Sequence, residues 1–319
     1  MTRTPGELDR AVGAVIGSAV GDALGAPHEF RPPHDDDWMP EFGPGVDGEP
    51  AGAWTDDTAM AVPILEALAA GRRADLERLA TEGWLRWSRE DGRGIGIQIG
   101  HVIAAVEHSG DPSPSSFLAE AERLHAHAGR SAGNGSLMRT GPLALAYLDD
   151  GEEAALADAA RRLSRLTHWE DDAGDACVVW SLAVRHAIRT GELDVASGIG
   201  RLPRERRSRW EGIVAEASAP GRHPREFAVD ALGRHNGWVV LAFQGALAAV
   251  VGSSGFPESI ARAIRGGEDA DTVAAIAGAL DGALRGAAAI PQPWQAGIRG
   301  WPGYRASDLA RLALLAADR

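Results

Sequence analysis

An all-α fold is what this sequence predicts, and three observations carry that expectation. Apolar residues recur at helical spacing, as where Leu156, Ala159, Leu163 and Leu166 mark one face of a segment. Alanine is abundant and β-branched runs are few; Val178-Val179 and Val239-Val240 are embedded in longer helical patterns and make weak strands. Finally, two glycine rows, Gly13, Gly17, Gly21, Gly25 and Gly278, Gly282, Gly286, recur every four residues, which draws a smooth stripe along a helix. An interior glycine costs about 1 kcal/mol relative to alanine, so such rows point to core helices whose backbones approach closely. A membrane-dimer role for this spacing fits poorly, because neither segment is an uninterrupted apolar span.

From the N-terminus, the charged run Met1 to Arg10 leads into an apolar stretch from Ala11, but Asp22 and Glu29 follow quickly and no cleavage site for a signal peptide is evident. Arg31 to Ala53, rich in Pro and Gly and carrying Asp35-Asp36-Asp37, reads as a long loop, either an active-site lid or a surface loop. It ends at Thr55-Asp56-Asp57-Thr58, ahead of an Ala-rich helix. Amphipathic helices follow at Leu76 to Trp87 and Phe117 to Ala126, separated by a break at Ser109 to Ser115. The glycine-rich turn Gly129 to Ser136 precedes a helical stretch from Leu137 to Leu148. The basic patch Arg201 to Arg209 reads as a solvated helix face or loop. A break at Ser218 to Pro224 comes next, and the stretches Trp238 to Val251 and Val273 to Ile290 are too short or too interrupted by charge to span a bilayer. Asp269-Ala270-Asp271-Thr272 opens the second of these Ala-rich runs. After a last break at Ile290 to Pro302, Leu309 to Ala317 is amphipathic again.

With 319 residues the chain is long enough for a sizeable core, and its breaks read as loops within one domain spanning 1–319. Thirty-two basic against 45 acidic residues give 32 − 45 = −13, which disfavours nucleic acid or an anionic membrane surface as the main partner. A lone cysteine, Cys177, excludes an internal disulfide and a thiolate-rich zinc site, and fits a reducing cytoplasm.

The two acidic runs are the chemically informative feature. Asp and Thr ahead of an apolar run are ordinary helix N-caps. Capping, however, needs one side chain, and each run places two carboxylates and a hydroxyl within four positions. Such hard oxygen ligands suit Mg²⁺ or Mn²⁺, and four carboxylates gathered without a cation would repel one another strongly. A binuclear centre built from both runs is the expectation.

Taken in order, Gly21-Asp22-Ala23-Leu24-Gly25 with Glu29, Trp54 to Thr58, Gly133-Asn134-Gly135-Ser136, Thr167-His168 and Asp269 to Thr272 resemble the ADP-ribosylglycohydrolase family over nearly the whole chain. The resemblance implies a compact, single-domain orthogonal helical bundle. It also implies two Mg²⁺ or Mn²⁺ ions held by Thr55, Asp56, Asp57, Asp269, Asp271 and Thr272, and hydrolysis of an N- or O-glycosidic ADP-ribosyl linkage. Glu29, Asp56 and Asp57 would be the catalytic carboxylates, acting on an oxocarbenium-like state. Ser131, Gly133, Asn134, Gly135 and Ser136 would cradle the diphosphate, His168 would contact the ligand, and Asp22 would support the metals from behind. Trp54 and Trp238 are candidates for stacking on adenine or on the target group, with core packing the simpler expectation for both.

Two positions depart from the family pattern. Glu268 stands where many relatives have glycine, which places a bulky charge beside the metal corner. Gly94 stands where several relatives carry an Asp that, in arginine-specific members, helps recognise the guanidinium; Asp91 is a nearby substitute. The acceptor, whether a modified protein or a small molecule, is therefore open. Two other functions share parts of the pattern: a catalytically silent ADP-ribose-binding module, and a two-metal hydrolase of phosphate esters.

Overall fold

The structure, a computed structural model, describes residues 3–318; Met1, Thr2 and Arg319, including the first positions of the charged N-terminal run, lie outside the described residues. It is almost entirely α-helical: α1 Pro5–Gly25, α2 Asp56–Ala69, α3 Leu76–Glu90, α4 Ile97–Ser109, α5 Pro114–Ala128, α6 Glu153–Arg165, α7 Asp171–Thr190, α8 Ala196–Ile199, α9 Arg204–Ala217, α10 Val239–Val251, α11 Phe256–Arg265, α12 Ala270–Arg285, α13 Gln292–Gly297 and α14 Ala306–Ala317. Two-residue strands, β1 Arg299–Gly300 and β2 Tyr304–Arg305, form one antiparallel pair. Among the described residues no helix is long and apolar enough to cross a membrane.

The core is organised by α1 against α12. Thr4 and Glu7 start α1 with a reciprocal capping box, and Pro5 occupies its first turn. From Gly13 to Gly25 α1 is buried, as is α12 from Ala270 to Ala283. A Cβ placed on Gly13, Gly17 or Gly21 would fall under 3.0 Å from the backbone oxygens of Gly282, Gly278 and Ala274 respectively, a separation real side chains do not tolerate. The descending register shows that the helices run antiparallel. Glycine is therefore required on both, and the rows read from the sequence are the seam itself. Gly286 is the exception: it lies just past α12, where φ 83° and ψ 165° are open only to glycine. Around this pair, α7, α10, α11 and α14 complete the bundle.

Two local expectations need correction. Leu137 to Leu148 is not an α-helix: turns follow the short 3-10 helix Asn134–Ser136, and a longer 3-10 helix runs over Gly141–Tyr147. Pro142 lacks the N–H that a continuous helix would use and its ring clashes with the preceding turn. The basic patch is not a simply solvated face either. Arg206 Nε lies 2.7 Å from Asp175 Oδ2, and Arg209 Nη2 lies 2.7 Å from Asp172 Oδ2, so part of α9 is bound to α7 through charge.

Candidate functional site

The first acidic corner is assembled by Asp22 near the end of α1. Its Oδ1 accepts from the N–H and the hydroxyl of Thr55, both at 2.9 Å, and its Oδ2 accepts from the N–H and hydroxyl of Thr58 at 3.0 and 2.6 Å. One buried carboxylate thus fixes the start of α2 from inside. Thr55 is the N-cap residue of α2, yet its side chain makes no capping bond; its hydroxyl points to Asp22 and, at 3.1 Å, to Asp57 Oδ2. The capping explanation of the Thr-Asp-Asp run therefore does not hold for Thr55. At the other corner Asp269 is the N-cap of α12 and also makes no side-chain cap.

Antiparallel packing of α1 and α12 then brings the corners together. Gly25 lies so close to Asp271 that a Cβ there would fall under 3.0 Å from the Asp271 Cα. Carboxylate oxygens of Asp22, Asp57 and Asp271 lie within 4.8 Å of one another, and so do those of Glu29, Asp269 and Asp271. Asp271 belongs to both groups and joins them. Thr272 Oγ1 donates to Asp57 Oδ2 at 3.5 Å, linking residues 215 apart in sequence. Asp56 stands at the same corner facing Gly94, where a Cβ would be 3.1 Å from Asp56 Oδ1.

The cluster concentrates negative charge in a buried setting that could hold a cation. Burial first, then mutual repulsion, pushes the carboxyls of Asp56, Asp57 and Asp271 well above the ordinary carboxylate range. Asp22 is pushed up to about 6 by burial, although its four hydrogen bonds pull the other way. Asp57 Oδ1 is buried with no hydrogen-bond partner. An orphaned carboxylate oxygen inside a ring of like charges fits a hard divalent cation, and the donor set, all oxygen, fits Mg²⁺ or Mn²⁺ better than a soft metal.

Glu29 follows the 3-10 turn Ala26–His28 that ends α1. Burial, followed by the charges of Asp269, Asp47, Glu49 and Asp22, pushes its carboxyl up to about 8. The loop behind it is pinned rather than free. The Phe30 N–H donates to Glu268 O at 2.6 Å, Glu268 N–H to Arg31 O at 2.9 Å, and Arg265 Nε to Trp38 O at 2.7 Å. Glu268 adopts a left-handed conformation, φ 59°, and turns its carboxylate to His235 Nδ1 at 2.8 Å. The charge expected beside the metal corner is thus directed away to a partner.

The part of the glycine-rich segment from Arg130 to Gly133 lines a cleft of about 750 Å³ together with Gln98, His235, Gly237 and Trp238. Gln98 Nε2 donates to Ser131 O at 3.0 Å and to Thr167 O at 2.8 Å, and Asn134 Nδ2 donates to Asp269 Oδ2 at 2.7 Å. The segment is therefore tied to the acidic corner. Within it, Ser131 Oγ lies 2.9 Å from His125 Nδ1, and Ser136 Oγ accepts from Ser164 at 3.0 Å, so both hydroxyls face protein partners. His168 is buried beneath the turn: a Cβ on Gly133 or Gly135 would be 3.1 Å from its ring. Burial and the charge of Arg139 hold its pKa well below the ordinary value, which keeps it neutral. Its Nδ1 lies 2.8 Å from Thr167 Oγ1.

Of the tryptophans singled out, Trp54 is core, with its indole N–H on Trp301 O at 3.3 Å, whereas Trp238 lines the cleft under the Arg234 guanidinium, 3.8 Å from its ring centre. Sequence reasoning missed Asn236 and gave Gln98 no role. Asn236 sits in a His-Asn-Gly-Trp run whose only local signal is that of a turn.

Comparison with known proteins places the whole chain among relatives of one kind. The chain is 29% identical over 305 residues to the ADP-ribosylarginine hydrolase Tri1 of Pseudomonas putida (strain GB-1), covering 92% of this chain and 75% of that one. It is 28% identical to the ADP-ribosyl-dinitrogen reductase glycohydrolase of Rhodospirillum rubrum, over 91% of this chain and 90% of the relative. A solved structure, an ADP-ribosylglycohydrolase-related protein complex, superposes with a TM-score of 0.74 at 29% identity and covers 98% of this chain and 99% of its own. The family model described as ADP-ribosylglycohydrolase matches residues 3–319, and the chain belongs to that family, metal-dependent enzymes that hydrolyse ADP-ribosyl glycosidic bonds.

Proposed function

We propose that the protein, folded as one domain over 1–319, releases ADP-ribose from a modified protein or small molecule with two divalent cations, Mg²⁺ or Mn²⁺. Thr55, Asp56, Asp57, Asp269, Asp271 and Thr272 would hold them. The observation that carries this reading is the meeting of the two acidic corners, with Asp271 shared between two carboxylate groups and Asp57 Oδ1 left without a partner. Bound there, the cations supply orientation of ribose hydroxyls and a water of lowered pKa. The chain's own residues do the rest. Glu29 stands at the edge of the cluster, where a carboxyl can hold or deliver a proton at the scissile bond, and Asp56 and Asp57 provide negative charge opposite a developing oxocarbenium. Gly133 and Gly135 would present backbone to the diphosphate, with Asn134, whose N–H is held by Gly237 O, tying the loop to the acidic corner, while Ser131, Ser136 and His168 set the shape of that loop from beneath. The single thiol fits a cytoplasmic protein.

The test is a substrate panel: ADP-ribosyl-arginine, ADP-ribosyl-serine, O-acetyl-ADP-ribose and simple phosphate esters, each with Mg²⁺ or EDTA. Metal-dependent release of ADP-ribose is expected, and Asp56→Ala or Asp271→Ala should abolish it with the helical circular dichroism retained. Tight ADP-ribose binding without turnover would identify a silent binding module instead, and turnover of the esters alone a phosphatase. Near-normal activity in both variants would remove these aspartates from the ligand set.

A further inference from the structure

Asn236 stands in the chain between the cleft-lining residues His235 and Gly237, is only 4% exposed, and has every polar atom committed. Its N–H donates to Ala228 O at 2.9 Å and its carbonyl accepts from Asn134 Nδ2 at 3.0 Å. Its side-chain Nδ2 donates to Gly267 O at 3.1 Å, and its Oδ1 accepts from the Asp269 N–H at 3.0 Å. Asn134 Nδ2 donates onward to Asp269 Oδ2. One residue therefore grips the backbone at which the second acidic corner begins and also orients the amide that holds the Asp269 carboxylate.

The segment it grips is irregular backbone held from two sides. Gly267 and Glu268 are left-handed in succession, φ 79° and 59°, a conformation that no helix or sheet ladder sustains. Phe30 and Arg31 hold Glu268 from one side by backbone hydrogen bonds. From the other side only a side chain carrying a donor and an acceptor at a fixed spacing can satisfy Gly267 O and Asp269 N–H together, which is the geometry of a primary amide. We propose that Asn236 is a positioning residue for cation binding: it fixes Asp269 relative to Asp271 and Glu29 and couples the phosphate loop to that corner through Asn134. The proposal rests on the metal reading given above.

Manganese binding to the purified, metal-free protein, measured by titration calorimetry, tests it without recourse to activity. Asn236→Ala removes both side-chain bonds, and Asn236→Ser is too short to span them. Each should weaken Mn²⁺ binding by about 10- to 100-fold, the usual consequence of removing a residue that orients a ligand. Gln244→Ala is the control: that amide is equally buried but bonds to Ile213 O and Glu216, away from the corner, and should leave affinity unchanged. Should Asn236→Ala fail to fold, Asn236→Ser carries the comparison. Wild-type affinity in the Asn236 variants, or an equal loss in Gln244→Ala, would overturn the assignment. Absence of Mn²⁺ binding by the wild type would instead overturn the metal reading on which it stands.

Discussion

The seam between α1 and α12 makes one steric insult with two different outcomes, depending on where along the seam it falls. Gly13→Ala and Gly25→Ala each add a methyl that would lie under 3.0 Å from the facing backbone, against the 3.4 Å at which ordinary contact begins. To admit either, the helices must part by about 1 Å locally, because a packed interior has no spare volume. Overpacking of this kind costs about 1–3 kcal/mol, and the better helix propensity of alanine returns about 1 kcal/mol. Both variants should therefore lose at most about 2 kcal/mol in urea denaturation. Their effects on chemistry should diverge. The two positions are about 18 Å apart along α1 at 1.5 Å per residue. Gly13 faces Gly282 and Ala287, remote from the carboxylates, whereas Gly25 faces the Cα, N and Cβ of Asp271. A displacement of about 1 Å at a group that must place a ligand atom is worth about 100-fold in rate. Metal-dependent release of ADP-ribose, assayed beside Mn²⁺ titration, should fall by about that factor in Gly25→Ala and stay near wild type in Gly13→Ala. Equal activity in the two variants, whether both retained or both lost, would refute the claim that the seam sets the geometry of the site.

Two further outcomes follow from the electrostatics of the same region. In EDTA the folded protein keeps protons on Asp22 up to about 6 and on Glu29 up to about 8, while the unfolded chain releases them near the ordinary values of 3.8 and 4.5. The folded state binds more protons across that window, so stability should fall as pH rises from about 4 to 8, and saturating Mg²⁺ should abolish the decline; a melting temperature in EDTA that is higher at pH 8 than at pH 5 would contradict it. Gly94 brings no carboxylate to the rim beside Asp56, and Asp91 is held by Arg93 at 2.7 Å, so serine- or other O-linked ADP-ribose should be turned over faster than the arginine-linked form. Equal or reversed rates in the substrate panel would remove Gly94 from acceptor choice.

What could be read from the chain and what could not divides along the range of the interactions. The Thr55 to Thr58 and Asp269 to Thr272 runs are legible because several oxygen donors within a turn of helix are a surplus that capping does not explain, and the fold brings their carboxylates together. The glycine rows are legible because close approach repeats with the helix period. By contrast, Leu137 to Leu148 keeps an apolar pattern through Pro142, and periodicity alone reports burial without the backbone hydrogen bonding. Arg206 and Arg209 look solvated in sequence because their partners, Asp175 and Asp172, sit on a different helix. Asn236 and Gln98 were invisible for the same reason. An amide is an all-purpose hydrogen-bonding group, and only the fold decides that one of them meets Gly267 and Asp269 while the other meets Ser131 and Thr167.

The clustering of carboxylates at these helix starts draws on the same physics as capping, although neither Thr55 nor Asp269 makes a side-chain cap. A helix N-terminus offers unpaired N–H groups and a positive dipole end, which favour carboxylates in the first turn. At Thr55 the N–H and hydroxyl both reach Asp22, a residue of another helix, and the hydroxyl also reaches Asp57, so this side chain is not spent on capping. The positive dipole ends of α2 and α12 favour the first-turn carboxylates Asp56, Asp57 and Asp271 against the repulsion that burial and mutual charge impose on them. Asp22 is thus the residue on which the rest depends: it draws the start of α2 onto the end of α1, and the glycine seam then delivers Asp271 to the same place.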